Sequence, residues 1–465
     1  MTATVSTQPR YQVVNPATGV AGEAFDLATD TEVEAALAAS AEAYKSWQAV
    51  PIEERAKVVH RVAELFREKA AELGAIATEE MGKPLSESVG EADFCGDIFD
   101  YFATEGPALA SQQEIKTAAE GKAYVQKLPI GPLLGIMPWN YPFYQIARFA
   151  APNLVLGNTI ILKHAESVPK SALAVQKIMD EAGVPQGVYI NIFASYDQIE
   201  TIIADRRIAG VSLTGSERAG SVVAAIAGKN LKKCVLELGG SDAYVVLDSD
   251  DVQASANLAW DTRIGNTGQA CNSNKRMIVS GDIFEDFVGQ LVERAKDLKP
   301  GNPAEEAEGT FAPLSSRKAA EILHEQVQDA VSKGATLHAG GVLGEGPAAY
   351  YSPAVLTGIT PEMRAYREEL FGPVAVVYSV DSDEEALTLA NDSDYGLGGA
   401  VFSTDRARAE KIAQRLETGM SNVNSPANEG QEVPFGGVKR SGFGRELGPL
   451  GMDEFCNKRL YFVSD

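Results

Sequence analysis

Paired cysteines are absent from this sequence. Its four cysteines, Cys95, Cys234, Cys271 and Cys456, are scattered through 465 residues, and no two form a CxxC pair. The four histidines, His60, His164, His324 and His338, are equally isolated. Structural zinc sites need such residues in clusters, so no metal site is expected. Four dispersed cysteines in a chain this long also make no disulfide framework. Long apolar runs are missing: none approaches the ~18 residues that a membrane helix requires. The opening segment, MTATVSTQPRYQVVNP, is polar and lacks the apolar stretch of a secretory signal. Basic charge is scarce. Lys and Arg number 41 against 64 Asp and Glu, a formal charge of −23, which argues against nucleic acid and against an anionic membrane surface as partners. A small anionic substrate is compatible with that charge, because one or two local arginines outweigh a diffuse field. No GxGxxG fingerprint is present either, so the standard dinucleotide-binding signature fails. A reduced, cytoplasmic enzyme is the simplest class consistent with these absences.

What is there is ordinary globular material, 45% hydrophobic and 23% charged, long enough for two or three domains. Residues 31–72 read as helix, with Asp30 or Thr31 as cap, and a second helical stretch covers about 86–110. From 123 the pattern changes. Short apolar runs (157–163, 187–195, 208–216 and KKCVLELGG) alternate with helical segments (168–183 and ERAGSVVAAIAG), which means a parallel α/β sheet. A second α/β series runs from about 250 to 425. The tail CNKRLYFV (456–463) reads as a lone strand that either joins a neighbouring subunit or closes its own sheet.

Four short segments carry chemistry. Cys271 lies in the polar, Gly-containing NTGQACNSNKR, whereas Cys234 lies in the apolar KKCVLEL, as structural cysteines do. Glu237 ends an apolar strand, at the end of a parallel sheet where ligands bind. A semi-buried carboxylate there suits a general base, or caps a turn. Asn140, between two prolines in PWNYP, presents an amide that can donate to an oxyanion, or simply forms a hydrophobic turn. SLTGS (212–216) is a strand, a Gly and a Ser at a helix start, an arrangement suited to pyrophosphate.

In order along the chain, PWNYP, KHAE (163–166), LTGS (213–216), ELGG (237–240), GQAC (268–271), ELFGPV (369–374) and PFGGVKRSGFGRE (434–446) resemble the aldehyde dehydrogenase superfamily over nearly the full length. The resemblance implies NAD(P)-dependent oxidation of an aldehyde to a carboxylic acid. Cys271 would be the nucleophile that forms a thioester, and Glu237 the base for its hydrolysis. Asn140 and the Cys271 N–H would hold the oxyanion. It also implies that Glu369 and Phe371 hold the nicotinamide ribose and ring, and that Gly215 and Ser216 meet the pyrophosphate. Lys163 and Glu166 would take the adenosine ribose, with Pro138, Trp139 and Leu238 completing the cofactor site. A carboxylate accepts from a free 2′-hydroxyl and repels a 2′-phosphate, so Glu166 favours NAD, with NADP possible through Lys163.

Within the superfamily, MPWNYPFYQIAR and the KHA segment are most similar to succinate-semialdehyde dehydrogenases. Arg148 matches an arginine those enzymes use on the substrate carboxylate, with a structural ion pair as the alternative reading. Tyr141 and Arg263 are the further substrate candidates. The second arginine of many such enzymes is replaced by Gly265, which could instead open the pocket to an aromatic or medium-chain aldehyde walled by Trp139, Tyr141 and Phe143. Ser273 replaces a possible second cysteine, so no disulfide switch is expected. A third reading, a non-catalytic protein on the same scaffold, conflicts with intact Cys271, Glu237 and Asn140. The implied architecture is α/β in three parts: a dinucleotide-binding domain (1–111 and 131–238), a catalytic domain (239–440) and a small β extension (112–130 and 441–465) that pairs subunits into a homodimer or homotetramer.

Overall fold

The apolar runs assemble into a six-stranded sheet in the computed structural model of the protein, which describes residues 11–427 and 430–464. The opening residues 1–10, counted above with the first domain, lie outside the described residues. The strand order is Gly442–Phe443, Lys233–Glu237, Gly210–Thr214, Pro132–Met137, Thr159–His164, Tyr189–Asn191. All neighbours are parallel except the first pair. PLLGIM, TIILKH and GVSLT are buried almost throughout. A parallel sheet covered by helices on both faces needs such continuous apolar runs, which is why these strands are legible in the sequence.

The order of this sheet determines where a ligand goes. The chain starts at Pro132–Met137, steps outward through Thr159–His164 to Tyr189–Asn191, then crosses back to Gly210–Thr214 on the other side of the first strand. The reversal leaves a crevice beyond the carboxyl ends of Pro132–Met137 and Gly210–Thr214, the usual ligand position in an open α/β sheet. Pro138 to Asn140 follow one of these strands and Gly215 and Ser216 the other.

A second, seven-stranded sheet has the order Thr336–Ala339, Ala354–Thr357, Val374–Val380, Arg276–Ser280, Ala243–Val246, Gly399–Phe402, Asn422–Val423. It is parallel except for its first pair. A third sheet is antiparallel and holds Cys456–Val463, Lys122–Pro129 and Gln113–Ile115. The terminal strand therefore closes a sheet of its own chain. Residues 441–465, expected to act together, divide: Gly442–Phe443 joins the edge of the six-stranded sheet beside Leu236 and Glu237.

The long helix expected over 31–72 is broken. Asp30–Trp47 ends before Pro51, whose missing N–H and fixed φ start a new helix, Ile52–Glu68, followed by Ala70–Met81. The cap is Thr29 rather than Asp30 or Thr31. Its hydroxyl accepts from Glu32 N at 3.2 Å, while the Glu32 carboxylate accepts from Thr29 N at 2.7 Å. This reciprocal box satisfies two helix-end donors at once. No helix among the described residues is long and apolar enough to cross a membrane.

Candidate active site

Asn140 is held in place from two directions. The imidazole of His164, fully buried, meets Met137 O at 3.1 Å and Pro142 O at 2.8 Å, so the strand Thr159–His164 braces both ends of the PWNYP loop. Burial pushes the His164 pKa down to about 4. From the other side, Asn266 Nδ2 donates to Asn140 O at 2.7 Å. The Asn140 amide, itself buried, donates to Gln269 O at 3.0 Å, two residues before Cys271. An –NH2 group has two donors, and that contact uses one.

The Cys271 loop carries backbone strain. Asn266 and Thr267 both adopt left-handed φ, at 48° and 53°. Such conformations cost non-glycine residues ~1–2 kcal/mol each and persist where the surroundings enforce them. The enforcement is visible. Asn266 N donates to Glu87 at 2.7 Å, and Gln269 accepts from Ser315 N at 2.8 Å. Arg263 gives its N–H groups to Val374 O (2.8 Å), Gly268 O (3.2 Å), Ser273 Oγ (2.9 Å), Leu370 O (2.7 Å) and Gly372 O (2.5 Å). The ELGG segment passes so close that a Cβ on Gly240 would lie 2.4 Å from Cys271 O. Cys271 is half-buried; burial pushes its thiol up to about 12, against the pull of Arg148 and Lys275.

Glu237 ends its strand deep in the protein. Its side chain is 2% exposed and neither carboxyl oxygen has a hydrogen-bond partner among the described residues. Burial, reinforced by Glu446, holds its pKa well above the usual carboxylate range, although Arg148 and Arg445 oppose the rise. Gly436, at φ +149°, lets the backbone pass the carboxyl: a Cβ there would sit 2.6 Å from Glu237 Oε1.

A cavity of about 310 Å³ opens onto Cys271. Tyr141, Tyr144, Phe94 and Phe435 line it, with Lys83, Glu87 and Glu91 among its polar groups. Lys83 and Glu91 pair at 2.7 Å, both buried, and Lys83 Nζ sits 3.6 Å above the Tyr141 ring. Glu91 also accepts from Phe143 N and Tyr144 N, at 2.8 and 2.9 Å, fixing the start of the helix that carries Arg148.

The Aldehyde dehydrogenase family model matches residues 3–460. The chain belongs to the aldehyde dehydrogenase family. As an aldehyde dehydrogenase it is 50% identical, over 464 residues, to a Deinococcus radiodurans protein named succinate-semialdehyde dehydrogenase (NADP+), covering 99% of this chain and 97% of that one. It is 40% identical to the Escherichia coli (strain K12) protein named succinate semialdehyde dehydrogenase (NAD(P)+) Sad, with 96% of each covered. Its fold matches the crystal structure of succinic semialdehyde dehydrogenase from Streptococcus pyogenes in complex with NADP+, at a TM-score of 0.95 and 41% identity. That match covers 98% of this chain and 100% of the other. The protein is thus an NAD(P)-dependent oxidoreductase acting on aldehydes.

In this aldehyde dehydrogenase the cofactor candidates gather at the carboxyl end of the six-stranded sheet. Ser216 caps the helix Glu217–Lys229, and Gly215 N donates to Glu237 O at 2.9 Å. Leu238 N donates to Ser441 O at 3.0 Å. Lys163 Nζ pairs with Glu166 Oε1 at 2.5 Å, with the exposed Tyr196 ring 5.6 Å from the ammonium. Trp139 packs edge-on against Phe371 at 5.7 Å, and Glu369 accepts from Gly240 N at 3.1 Å.

Several substrate expectations need correction. Arg263 is fully buried with every nitrogen bound to protein oxygens, so it has no donor left for a substrate. Arg148 lies behind the cavity wall, not on it. Glu446 holds its Nε at 2.9 Å, Gln145 takes an Nη2 proton at 2.5 Å, and the rings of Tyr144 and Phe435 cover it at 4.6 and 4.3 Å. Its Nη1 has no partner among the described residues. Of the three aromatic walls, Tyr141 alone lines the cavity. Phe143 is in the core, and Trp139 packs on Phe371. Gly265 is not a lining residue either. Lys83, Glu91, Tyr196, Lys275 and Glu446 escaped the sequence reading, since each works through a residue distant in sequence or across a helix turn.

Proposed function

We propose that this aldehyde dehydrogenase oxidises succinate semialdehyde to succinate and uses NADP+. The observation that carries this reading is the full-length 50% identity to the Deinococcus radiodurans protein of that name. The site's chemistry supports it. Arg148 Nη1, without a partner among the described residues, lies behind the Tyr144 and Phe435 rings that line the small cavity at Cys271. A buried guanidinium N–H left unpaired is costly, and a substrate carboxylate inserted between Tyr144 and Phe435 would satisfy it.

The residues at the sheet end fit a dinucleotide. Gly215, Ser216 and the helix start would face its pyrophosphate, Glu369 its nicotinamide ribose, and Phe371 and Trp139 its ring, with Pro138 and Leu238 beside them. The Lys163–Glu166 pair bears on the 2′ position. Glu166 alone favoured NAD, but the Deinococcus radiodurans relative is named for NADP+ and the Escherichia coli relative for NAD(P)+. With Lys163 at 2.5 Å, the Glu166 charge is already countered. A 2′-phosphate can take over that ammonium, with the Tyr196 hydroxyl close by.

Chemistry then follows from Cys271, Asn140 and Glu237. The resting thiol is protonated; it gives its proton to solvent, with the charges of Arg148 and Lys275 favouring the thiolate, and the sulfur bonds to the aldehyde carbon. The carbonyl electron pair moves to oxygen, held by Asn140 Nδ2 and the Cys271 N–H. A nicotinamide held by the residues above would supply the hydride acceptor for oxidation of that adduct to a thioester. Glu237, having lost its proton to solvent, then removes one from the attacking water, and Cys271 leaves as thiolate with the carboxylic acid as product. The free Cys271 thiol suits a reducing, cytoplasmic setting. Subunits would pair through the three-stranded sheet into a dimer or tetramer, because its terminal strand leaves Leu460, Tyr461, Phe462 and Val463 exposed.

Steady-state formation of reduced cofactor tests the reading, with succinate semialdehyde, hexanal and benzaldehyde, each with NADP+ and NAD+. Succinate semialdehyde with NADP+ is expected to give the highest kcat/KM. A preference for benzaldehyde or hexanal would refute the substrate, and a preference for NAD+ the cofactor.

A further inference from the structure

Lys275, four residues after the nucleophile, is 2% exposed on its side chain and serves neither the cavity nor the core. Its Nζ donates to Ala270 O at 2.6 Å and to Cys271 O at 2.8 Å, and lies 3.0 Å from Glu369 Oε1. Three ammonium protons thus meet three acceptors. One of these contacts has a geometric consequence. The Ala270–Cys271 peptide is planar and trans, so its C=O and N–H point in opposite directions. An ammonium drawing on Ala270 O therefore turns the Cys271 N–H away from itself. It also polarises that amide, because hydrogen bonds in a chain strengthen one another.

We propose that Lys275 is a positioning residue that aims and polarises the Cys271 N–H as an oxyanion donor and ties it to Glu369. The inference rests on the reading of Cys271 as nucleophile and of its N–H as oxyanion donor. Three features make the arrangement rigid. Glu369 Oε1 is shared between Lys275 and Gly240 N, so the ammonium is anchored to the ELGG segment that touches Cys271 O. Arg263 fixes the carbonyls of Leu370 and Gly372 just after Glu369 and of Gly268 just before Ala270. The Phe371 ring lies 5.8 Å from the ammonium. The segment expected to hold the nicotinamide ribose and the peptide expected to hold the oxyanion are thereby joined through one side chain. Lys275 also brings a fixed positive charge to the Cys271 thiolate, alongside Arg148.

The test compares K275M and K275R with wild type in two readouts. The first is the pH dependence of Cys271 alkylation by iodoacetamide, followed by peptide mass spectrometry. It needs no aldehyde, so it reports on Lys275 even where succinate semialdehyde proves not to be the substrate. The second is kcat and KM with the best aldehyde. K275M is expected to move the alkylation profile to higher pH and to lower kcat about 10- to 100-fold, a fraction of the loss seen when an oxyanion donor is removed outright, with KM changed less than about threefold. K275R, which keeps the charge and donors, is expected to regain most of the alkylation profile. An alkylation profile unchanged in K275M would overturn the proposal. So would equal impairment of K275M and K275R in both readouts, which marks a purely steric role. C271S serves as the separate control: aldehyde turnover that survives it would strike at the nucleophile assignment instead.

Discussion

Arg148 and Glu446 face each other at 2.9 Å, both essentially inaccessible, in the layer directly behind the cavity at Cys271. Nη1 has neither an ion-pair nor a hydrogen-bond partner among the described residues. R148K keeps a charge for Glu446 but loses the planar fork. We expect KM for succinate semialdehyde to rise at least about tenfold, in keeping with the ~1.5–3 kcal/mol of a charged hydrogen bond, and KM for hexanal to change less than about threefold. Equal effects on the two aldehydes would assign Arg148 to structure alone. R148A is expected to destabilise the fold by ~3–5 kcal/mol, because Glu446 is left buried and unpaired.

Glu237 begins with a strongly raised pKa, caused first by burial and then by Glu446. A base in that position acts only once ionised, so hydrolysis of the thioester should speed up as pH rises, through a range well above that of an ordinary carboxylate. E237Q should lose this pH dependence and turn over slowly after a first burst of reduced cofactor. Stopped-flow absorbance distinguishes the cases. Absence of the burst would show that Glu237 is required for thiol activation as well.

The Lys163–Glu166 pair gives a cofactor prediction. E166Q frees the ammonium and removes a repulsive carboxylate, so kcat/KM for NADP+ relative to NAD+ should rise about tenfold, corresponding to ~1.4 kcal/mol. An unchanged ratio would mean the 2′ position is read elsewhere.

His164 gives an acid-stability prediction. Its folded pKa is depressed to about 4 from an ordinary 6.5, so the unfolded chain binds the proton more readily. The stability it contributes is fully present above pH 6.5 and is lost as pH falls toward 4, by up to ~3 kcal/mol. In H164Q that titration is gone. Urea melts between pH 7 and 4.5 should show a smaller loss for the variant than for wild type; parallel losses would dissociate His164 from the effect.

How much of this was legible in the sequence follows from what sequence encodes locally. Runs such as TIILKH announced buried parallel strands, since both faces of such a strand are apolar. The ordered motifs singled out Asn140, Glu237 and Cys271 because these residues sit in turns with distinctive Pro and Gly neighbours. Arg263 misled for the opposite reason. Its acceptors at Leu370, Gly372 and Val374 are more than a hundred positions away, and nothing local shows that the side chain turns inward to them. Arg148 shows the same limit, since its Glu446 partner is distant in sequence. Lys83 and Glu91, or Lys275 and Glu369, become visible as pairs only once helix and loop are folded. The terminal strand's partner, Lys122–Pro129, was undecidable from the tail alone.

The most direct test of the central claim is the covalent species itself. E237Q is mixed with succinate semialdehyde and NADP+, quenched in acid and digested, and the peptide carrying Cys271 is weighed. One succinyl group on Cys271 is expected, formed only when the oxidised cofactor is present. A Cys271 peptide of unmodified mass under conditions where wild type turns over, or an acyl group on Cys95, Cys234 or Cys456 instead, would contradict it.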